Sequence, residues 1–212
     1  MPDLFDATAS GLQRLPLPDA ELYFQHGFYA HAFCTSAMQI LLEETAWRHE
    51  QILLFGKRHW QPRLVAAHGD AGVAYRYSGL SLPMHPWTAL LLQIKQDIEH
   101  VTGRRFNSVL LNFYRDQNDS MGWHSDDESD LGIEPAIASL SFGATRIFKL
   151  KHKTRRDLKT VLLDLSDGSL LLMAGPTQRY WKHAVDKSRG EKTPRINLTF
   201  RNVGQISKRH ER

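Results

Sequence analysis

The chain has 212 residues, 42% of them hydrophobic, and a formal net charge of +4. This size suits one globular domain with its own core, and the mild positive charge favours a polyanionic partner over a cationic one. The single cysteine, Cys34, excludes an internal disulfide framework and any multi-cysteine zinc site. No apolar run is long enough to span a bilayer, and Met1-Pro2-Asp3 lacks the signature of a signal peptide. We therefore expect a soluble intracellular protein, cytoplasmic if bacterial and nuclear if eukaryotic, and we expect a monomer.

Helical periodicity dominates the first half of the chain. Ser36-x-x-Gln39 has the form of a capping box, and Met38, Leu41, Leu42 and Ala46 follow it along one helix face. A second helix is predicted after Pro86 and ends at Gly103. Its apolar face comprises Trp87, Leu90, Leu91, Ile94, Ile98 and Val101. Both helices are predicted to pack against a sheet.

The period changes to that of β-strands after Gly103. Strands are predicted near residues 107–115, 136–142, 145–151, 159–165, 169–174, 180–185 and 195–202. Asp167-Gly168 lies between two apolar runs and indicates a hairpin. Many short strands after two helices favour a mainly β fold, a double-stranded β-helix (jelly-roll) barrel braced by N-terminal α-helices. The interior of such a barrel can hold a ligand.

The last predicted strand alternates strictly between polar and apolar residues. One face carries Arg195, Asn197, Thr199 and Arg201, and the opposite face is apolar. A polar face with an arginine at each end, on a strand whose other face is buried, requires an acidic ligand. A small dicarboxylate is the natural candidate, because each guanidinium can bind one carboxylate. The alternative is a solvated polar face on an edge strand.

His124 and Asp126 lie two residues apart on the same side of an extended segment, so both can reach one metal ion. This spacing arises easily by chance, and His183 on the predicted strand 180–185 supplies the corroboration. Two histidines and one carboxylate form the facial triad of non-haem iron(II) oxygenases. Zinc would also accept these ligands, and a lone histidine is more often a surface or core residue.

The metal triad and the arginine strand explain each other. A 2-oxo acid chelates iron through its keto oxygen and near carboxylate, while its far carboxylate needs a cationic partner. Arg195 and Arg201 can neutralise the two ends. Asn112 and Tyr114 share one face of the predicted strand 107–115 and can add hydrogen bonds, although an ordinary amphipathic strand has the same pattern.

Six motifs follow one another along the chain, and their joint occurrence is much more specific than any one of them. They are N-x-Y at 112–114, WHSDDE at 123–128, ASLSFGATR at 138–146, DGSLLLMAG at 167–175, WKHAV at 181–185 and PRINLTFR at 194–201. Together they resemble the AlkB family of iron- and 2-oxoglutarate-dependent dioxygenases. LFGK at 54–57, GDAGVAYRYSGLSL at 69–82 and HSDDE at 124–128 resemble its DNA-repairing members.

The resemblance implies a cofactor set and a reaction. His124, Asp126 and His183 would be the iron(II) ligands. The residues that would bind 2-oxoglutarate are Asn112, Tyr114, Arg195, Thr199 and Arg201, with Asn197 supporting the same polar face. Oxygen and 2-oxoglutarate would be consumed in oxidising the N-methyl group of a damaged DNA base, 1-methyladenine or 3-methylcytosine. Succinate, carbon dioxide and formaldehyde would be released.

The same resemblance implies how the chain is organised. Residues 1–212 would form a single dioxygenase domain. Within it, residues 1–50 would be an N-terminal extension and helix, 51–100 a nucleotide-recognition region, 101–203 the jelly-roll catalytic core and 204–212 a basic tail.

Several residues are candidates for contacting the substrate. A base must leave the duplex to reach a barrel interior, and Tyr75 and Tyr77 are candidates for stacking on it, although strand packing explains them equally well. Asp127 would favour a cationic methylated base over a neutral one, with Glu128 adding to that field. An exposed acidic loop is the alternative interpretation of both.

The segment Leu54-Phe55-Gly56-Lys57 has the form of a wedge for the space that a flipped base leaves. An exposed apolar side chain of this segment would enter the stack, Gly56 permits close backbone approach and Lys57 would meet phosphate, unless the segment is a buried strand end. The basic residues that would line a phosphate track are Arg58, Arg63, Lys151, Lys153, Arg155 and Arg156. Three alternatives stay open: the same chemistry on RNA, the same chemistry on a protein side chain, or a damaged-base binding module without catalysis.

Overall fold

The computed structural model describes residues 11–54, 56–74, 76–77 and 80–204. These residues form sixteen strands and three α-helices, α1 (His31–Glu44), α2 (Ala89–Thr102) and α3 (Thr177–Tyr180), with a short 3-10 helix at Ser129–Leu131. Within this described part of the chain, no helix has both the length and the apolar character needed to cross a membrane.

The larger sheet has eight strands and is antiparallel except at one edge, where β5 and β8 run parallel. In spatial order its strands are β1 (Gln13–Leu15), β2 (Glu21–Gln25), β14 (Leu170–Ala174), β11 (Ile137–Gly143), β16 (Arg195–Arg201), β9 (Ser108–Tyr114), β5 (Leu64–Gly69) and β8 (Met84–His85). The smaller sheet has the order β10 (Met121–His124), β15 (Trp181–Val185), β12 (Arg146–His152) and β13 (Val161–Leu165). Two short pairs complete the set, β3 (Gln51–Leu54) with β4 (Lys57–Trp60) and β6 (Arg76–Tyr77) with β7 (Leu80–Ser81).

The two sheets enclose a shared interior. One buried cluster combines Leu110 and Leu171 of the larger sheet with Phe148 and Leu163 of the smaller sheet. The mainly antiparallel, two-sheet arrangement confirms the predicted jelly-roll class. The interior between the sheets is where the predicted site residues converge.

Helices α1 and α2 cover the outer face of the larger sheet. Cys34 and Leu41 of α1 and Leu91 and Ile98 of α2 are buried in one cluster with Leu198 of β16. The apolar face of β16 is therefore buried under the helices. Its polar face must then point to the barrel interior, since successive strand residues point to opposite sides.

The end of α2 agrees with the sequence prediction, and its start at Ala89 lies two residues after the predicted one, so that Trp87 precedes the helix. The predicted start of α1 is wrong. The Thr88 hydroxyl caps α2 by accepting from the Leu91 N–H at 3.2 Å, and Gly103 ends the helix with φ +65°. Helix α1 begins at His31, so the predicted capping box at Ser36 is wrong. Ser36 lies inside the helix and its hydroxyl donates to the Ala32 carbonyl at 3.2 Å. The helix begins earlier because Cys34, upstream of the predicted cap, is already buried against the sheet.

The hairpin predicted at Asp167-Gly168 is also wrong. The strand before this turn, β13, pairs with β12, while the strand after it, β14, pairs with β11 and β2. The turn therefore carries the chain from the smaller sheet to the larger one. Gly168 has φ +70°, and its N–H donates to the Ser141 carbonyl at 2.8 Å, which attaches the turn to β11. A Cβ at Gly168 would lie 2.4 Å from the Tyr29 carbonyl oxygen, so the position requires glycine.

Candidate active site

Three predicted metal ligands lie together on the smaller sheet and the loop that follows it. His124 of β10 is directly opposite His183 of β15, and their ring centroids are 4.2 Å apart. Asp126 follows β10 by two residues. One ligand atom from each of the three side chains lies within 4.8 Å of the others. The arrangement can hold one metal ion and leaves room for other ligands on its cavity side.

Asp126 is prepared as an anionic ligand. Its side chain is 1% exposed, and its Oδ1 accepts from Arg201 Nη2 at 2.6 Å. Its backbone N–H donates to Gln178 Oε1 at 2.9 Å, which fixes the loop. Burial opposes ionisation of this carboxyl, but Arg201 and the two histidines together hold its pKa well below the usual range.

Both histidines are held in the neutral form that binds metals. Burial and the neighbouring His124 lower the pKa of His183 to about 3, and burial also lowers the pKa of His124. His124 Nδ1 lies 2.9 Å from the Gly122 carbonyl oxygen. A carbonyl only accepts, so Nδ1 carries the proton and the Nε2 lone pair is available to a metal.

A row of polar side chains faces the triad from the larger sheet. Strand β16 lies between β11 and β9, and all seven of its residues are buried. Arg195 is paired with Tyr114, and Asn197 lies between Asn112 on β9 and Ser141 on β11. The alternative of a solvated face on an edge strand is therefore wrong. Thr199 and Arg201 continue the same row.

Arg195 carries an incompletely satisfied positive charge. Its side chain is 1% exposed, its Nη2 donates to Ser141 Oγ at 3.0 Å, and its guanidinium lies 4.9 Å from the centre of the Tyr114 ring. Arg195 Nε and Nη1 have no hydrogen-bond partner in the described part of the chain. Burial accordingly lowers the pKa of Arg195. A buried arginine with two unused donors is suited to a carboxylate ligand.

The triad and the polar row line one cavity between the two sheets. Asn112, Arg195 and Arg201 form part of its polar wall, and the triad histidines line it as well. Its apolar wall includes Phe148, Leu165, Met173 and Val185. The cavity therefore combines a metal-binding edge, a cationic wall and a water-excluding wall.

The structure places some of the predicted substrate residues and not others. Phe55 and Tyr75 lie outside the described residues, and of Tyr77 only the backbone, on β6, is described. Gly56 lies in the turn between β3 and β4 with φ +76°, and Lys57 after it is exposed. Gly56 and Lys57 are both exposed and can approach a partner.

Two acidic residues, Asp127 and Glu128, directly follow the metal ligand Asp126. Asp127 is 60% exposed and pairs with Lys153 Nζ at 3.0 Å. Glu128 is partly buried, and its Oε2 has no hydrogen-bond partner within the described residues. Burial and the nearby Asp126 raise the pKa of Glu128. A cationic group entering beside Glu128 would therefore be favoured.

Sequence reasoning missed some residues of the site and misplaced one. Arg63 was predicted on a surface phosphate track, but it is 3% exposed and bonds to Asn112. Ser139 and Ser141 belong to the polar row, where their hydroxyls accept from Asn197 Nδ2 and Arg195. The alternation of serine with apolar residues in ASLSF was a signal for this second pair. Gln178 had no comparable signal.

Comparison with known proteins identifies the class that this site defines. The model of the 2OG-Fe(II) oxygenase superfamily matches residues 21–201, and the chain therefore belongs to that superfamily. Iron(II), 2-oxoglutarate and oxygen are the cofactor and co-substrates of the class. Within it the chain is a member of the AlkB family, as its relatives show.

Two bovine relatives illustrate the family likeness. The DNA oxidative demethylase ALKBH2 of Bos taurus is 42% identical over 165 residues, which are 75% of this chain and 59% of that protein. The alpha-ketoglutarate-dependent dioxygenase alkB homolog 3 of Bos taurus is 40% identical over 185 residues, 84% of this chain and 64% of the relative. The chain thus spans roughly three fifths of the length of these relatives. The solved structure of OsALKBH1, with TM-score 0.60, 16% identity and coverage of 91% of this chain and 100% of the other, shares the fold.

The residues of the cavity fit the groups that this class employs. Two neutral imidazoles and one carboxylate are the donor set of a non-haem iron(II) site. The buried guanidinium of Arg195, with unused donors on Nε and Nη1, suits the carboxylate of a dicarboxylic acid.

Proposed function

We propose that this chain is an oxidative demethylase of alkylated DNA bases, 1-methyladenine and 3-methylcytosine, that uses iron(II), 2-oxoglutarate and oxygen. The products are the repaired base, formaldehyde, succinate and carbon dioxide. The observation that carries the proposal is the single cavity in which the metal triad faces the Arg195 row. The choice of DNA rests on the relatives named as DNA oxidative demethylases, one of them 42% identical.

His124, Asp126 and His183 are the proposed iron ligands. The bound metal supplies the activation of oxygen needed to oxidise an N-methyl group. The chain contributes two neutral imidazoles and an ionised carboxylate in fixed positions, with Arg201 holding Asp126 at 2.6 Å. Because Asp126 is oriented by this contact and by Gln178, it can bind the metal without reorganisation.

The polar row is the proposed binding site of 2-oxoglutarate. Arg195 would bind the carboxylate remote from the metal through Nε and Nη1. Arg201 and Asn112 would receive the end nearer the triad, and Tyr114 and Thr199 would add hydroxyl contacts. Asn197 supports this face, since its Nδ2 donates to Ser139 Oγ at 2.9 Å and its Oδ1 accepts from the Thr199 hydroxyl at 3.0 Å.

The substrate is proposed to reach the cavity as an extruded base. Unstacking is least costly for a damaged base, whose pairing is already impaired. The exposed residues Gly56, Lys57 and Arg58 would contact the DNA strand. Asp127 and Glu128 would favour the positive charge that methylation places on adenine N1 or cytosine N3. Phe55, Tyr75 and Tyr77 remain predictions for the wedge and the stacking surface.

The organisation of the chain is part of the same proposal. Residues 51–100 would serve nucleotide recognition and residues 101–203 the catalytic core, within one domain spanning 1–212. A monomer acting inside the cell, in the nucleus or the cytoplasm, would suffice for this function, because the triad and the polar row come from one chain.

The decisive experiment measures methyl loss and succinate together. The protein is loaded with iron(II) without oxygen, then supplied with oxygen and 2-oxoglutarate. Matched oligonucleotides carry one 3-methylcytosine in single-stranded DNA, duplex DNA or RNA, and His183→Ala is the control variant. We expect stoichiometric methyl loss and succinate on DNA, read by mass spectrometry, and neither product with the variant.

Each other outcome points to one alternative. Methyl loss confined to RNA would replace the DNA substrate with RNA. Succinate without methyl loss on any oligonucleotide would leave the iron chemistry in place and move the substrate to another class, such as a protein side chain. Iron bound by the wild-type protein without succinate would favour a binding module.

A further inference from the structure

Arg63 is a buried arginine that the proposed chemistry does not yet use. It lies immediately before β5 and is 3% exposed. Its Nε donates to Asn112 Oδ1 at 2.8 Å, and its Nη1 contacts the Ser120 carbonyl at 3.3 Å. Ser120 precedes β10, the strand that ends at His124. Arg63 therefore joins the strand of Asn112 to the segment leading into the metal triad.

The contact with Arg63 determines which way the Asn112 amide is turned. A guanidinium only donates hydrogen bonds, so the group facing Arg63 must be the amide oxygen. The amide nitrogen then occupies the other branch of the side chain. Asn112 is 1% exposed and lines the cavity, so this nitrogen is the group that the side chain can offer to a ligand.

The orientation matters because a carboxylate only accepts hydrogen bonds. An amide that presents its NH₂ group to a carboxylate forms a charge-assisted hydrogen bond, whereas the inverted amide opposes oxygen to oxygen. An asparagine without a fixed partner can adopt both orientations. We infer that Arg63 is a positioning residue for 2-oxoglutarate binding, which acts by fixing the Asn112 amide with its NH₂ group toward the co-substrate.

This inference rests on the proposed role of Asn112 in binding 2-oxoglutarate. It also reassigns Arg63, whose position between β4 and β5 otherwise fits a phosphate-binding surface residue. Arg14, on β1 at the far edge of the larger sheet, is exposed and has the same side chain. It serves as a matched control, because a change there alters the same charge without touching Asn112.

The test is calorimetric titration of 2-oxoglutarate into the full chain loaded with manganese(II), which needs no turnover. The variants are Arg63→Met, Arg63→Gln, Asn112→Ala, the double variant Arg63→Met with Asn112→Ala, and Arg14→Met. Arg63→Gln keeps a donor for Asn112 but removes the charge. We expect Arg63→Met to weaken binding about 10-fold, the size of one lost hydrogen bond to a charged group. Arg63→Gln should retain most of the affinity, and Arg14→Met all of it.

The double variant separates positioning from an independent effect. If Arg63 acts through Asn112, the double variant binds no more weakly than Asn112→Ala alone. If the losses of affinity in the two single variants add up in the double variant, Arg63 acts independently of Asn112 and the inference is wrong. Equal losses of affinity in Arg63→Met and Arg63→Gln would also overturn it, because the charge or the packing of Arg63 would then be responsible. If Asn112→Ala binds 2-oxoglutarate with wild-type affinity, the proposed role of Asn112 in co-substrate binding is itself wrong.

A second measurement uses the wild-type chain and does not depend on any variant folding. In the protein loaded with diamagnetic zinc(II), the side-chain NH₂ resonances of Asn112 should shift when 2-oxoglutarate is added. Bound 2-oxoglutarate that leaves these resonances unshifted would show that the amide nitrogen faces elsewhere, and the inference would fail.

Discussion

Replacing Arg195 with methionine should separate co-substrate binding from stability. The guanidinium is 1% exposed and has two donors, on Nε and Nη1, without partners in the described part of the chain. A hydrogen bond to a charged group contributes about 1.5–3 kcal/mol, so two of them amount to about 3–6 kcal/mol. Arg195→Met should therefore weaken 2-oxoglutarate binding by roughly 10²- to 10⁴-fold.

The same change should cost the ligand-free protein little. Burying an unpaired charge is unfavourable, and an apolar side chain of similar volume in its place is commonly neutral or stabilising by about 1–4 kcal/mol. The lost contact with the Tyr114 ring would offset part of this, about 0.5–2 kcal/mol. Urea unfolding of the apo protein measures the stability, and titration of the manganese(II)-loaded protein measures the affinity, with the exposed Arg156→Met as control.

Two results would refute this reasoning. Wild-type affinity in Arg195→Met would mean that Arg195 does not bind the co-substrate. A loss of more than about 3 kcal/mol in the apo protein would mean that Arg195 is mainly a structural residue, held by contacts stronger than those at Ser141 and Tyr114.

Three further predictions concern the metal, the substrate and stability. His124→Ala should abolish iron-dependent succinate formation while the protein still unfolds cooperatively, and retained turnover would remove His124 from the ligand set. Asp127→Ala should leave 2-oxoglutarate binding intact but reduce the preference, in kcat/KM, for 1-methyladenine over a neutral methylated base. Unchanged selectivity would exclude Asp127 from substrate recognition. Although burial opposes its ionisation, Glu99 has a lowered pKa because it accepts from the Phe106 N–H and pairs with Arg105 and Lys95. The stabilisation from these contacts is present above the unfolded pKa and disappears as pH falls through the lower folded pKa. Thermal unfolding should thus show Glu99→Gln less stable than wild type at pH 7, and a difference that persists in strong acid would contradict this.

Elements whose residues are constrained locally were predictable from the sequence. The residues that cap helix α2, Thr88 at its start and Gly103 at its end, directly adjoin the helix in the sequence. Strand β16 was predictable because polar and apolar residues alternate strictly along it, although both of its faces are buried. The polar row followed from the same alternation, since register fixes which side chains share a face.

The errors arose where the decisive contact is distant in sequence. The Asp167-Gly168 turn signal is local, but which sheet the next strand joins depends on pairing with β11 and β2. Strand β5 was missed although Leu64–Ala67 is an apolar run between Pro62 and Gly69, because such a run has no period of its own. Arg63 contacts Asn112 across 49 positions, and nothing in its immediate neighbours indicates burial.

The contact between Asp126 and Arg201 connects the loop after β10, in the smaller sheet, to β16, in the larger sheet. Both sheets must be in place for the proposed site to exist, so iron and 2-oxoglutarate would bind the folded chain and not the unfolded one. A ligand at 100 times its dissociation constant then adds about 2.7 kcal/mol to the free energy of unfolding. The chain would resist proteolysis better in a cell rich in 2-oxoglutarate than in a starved one.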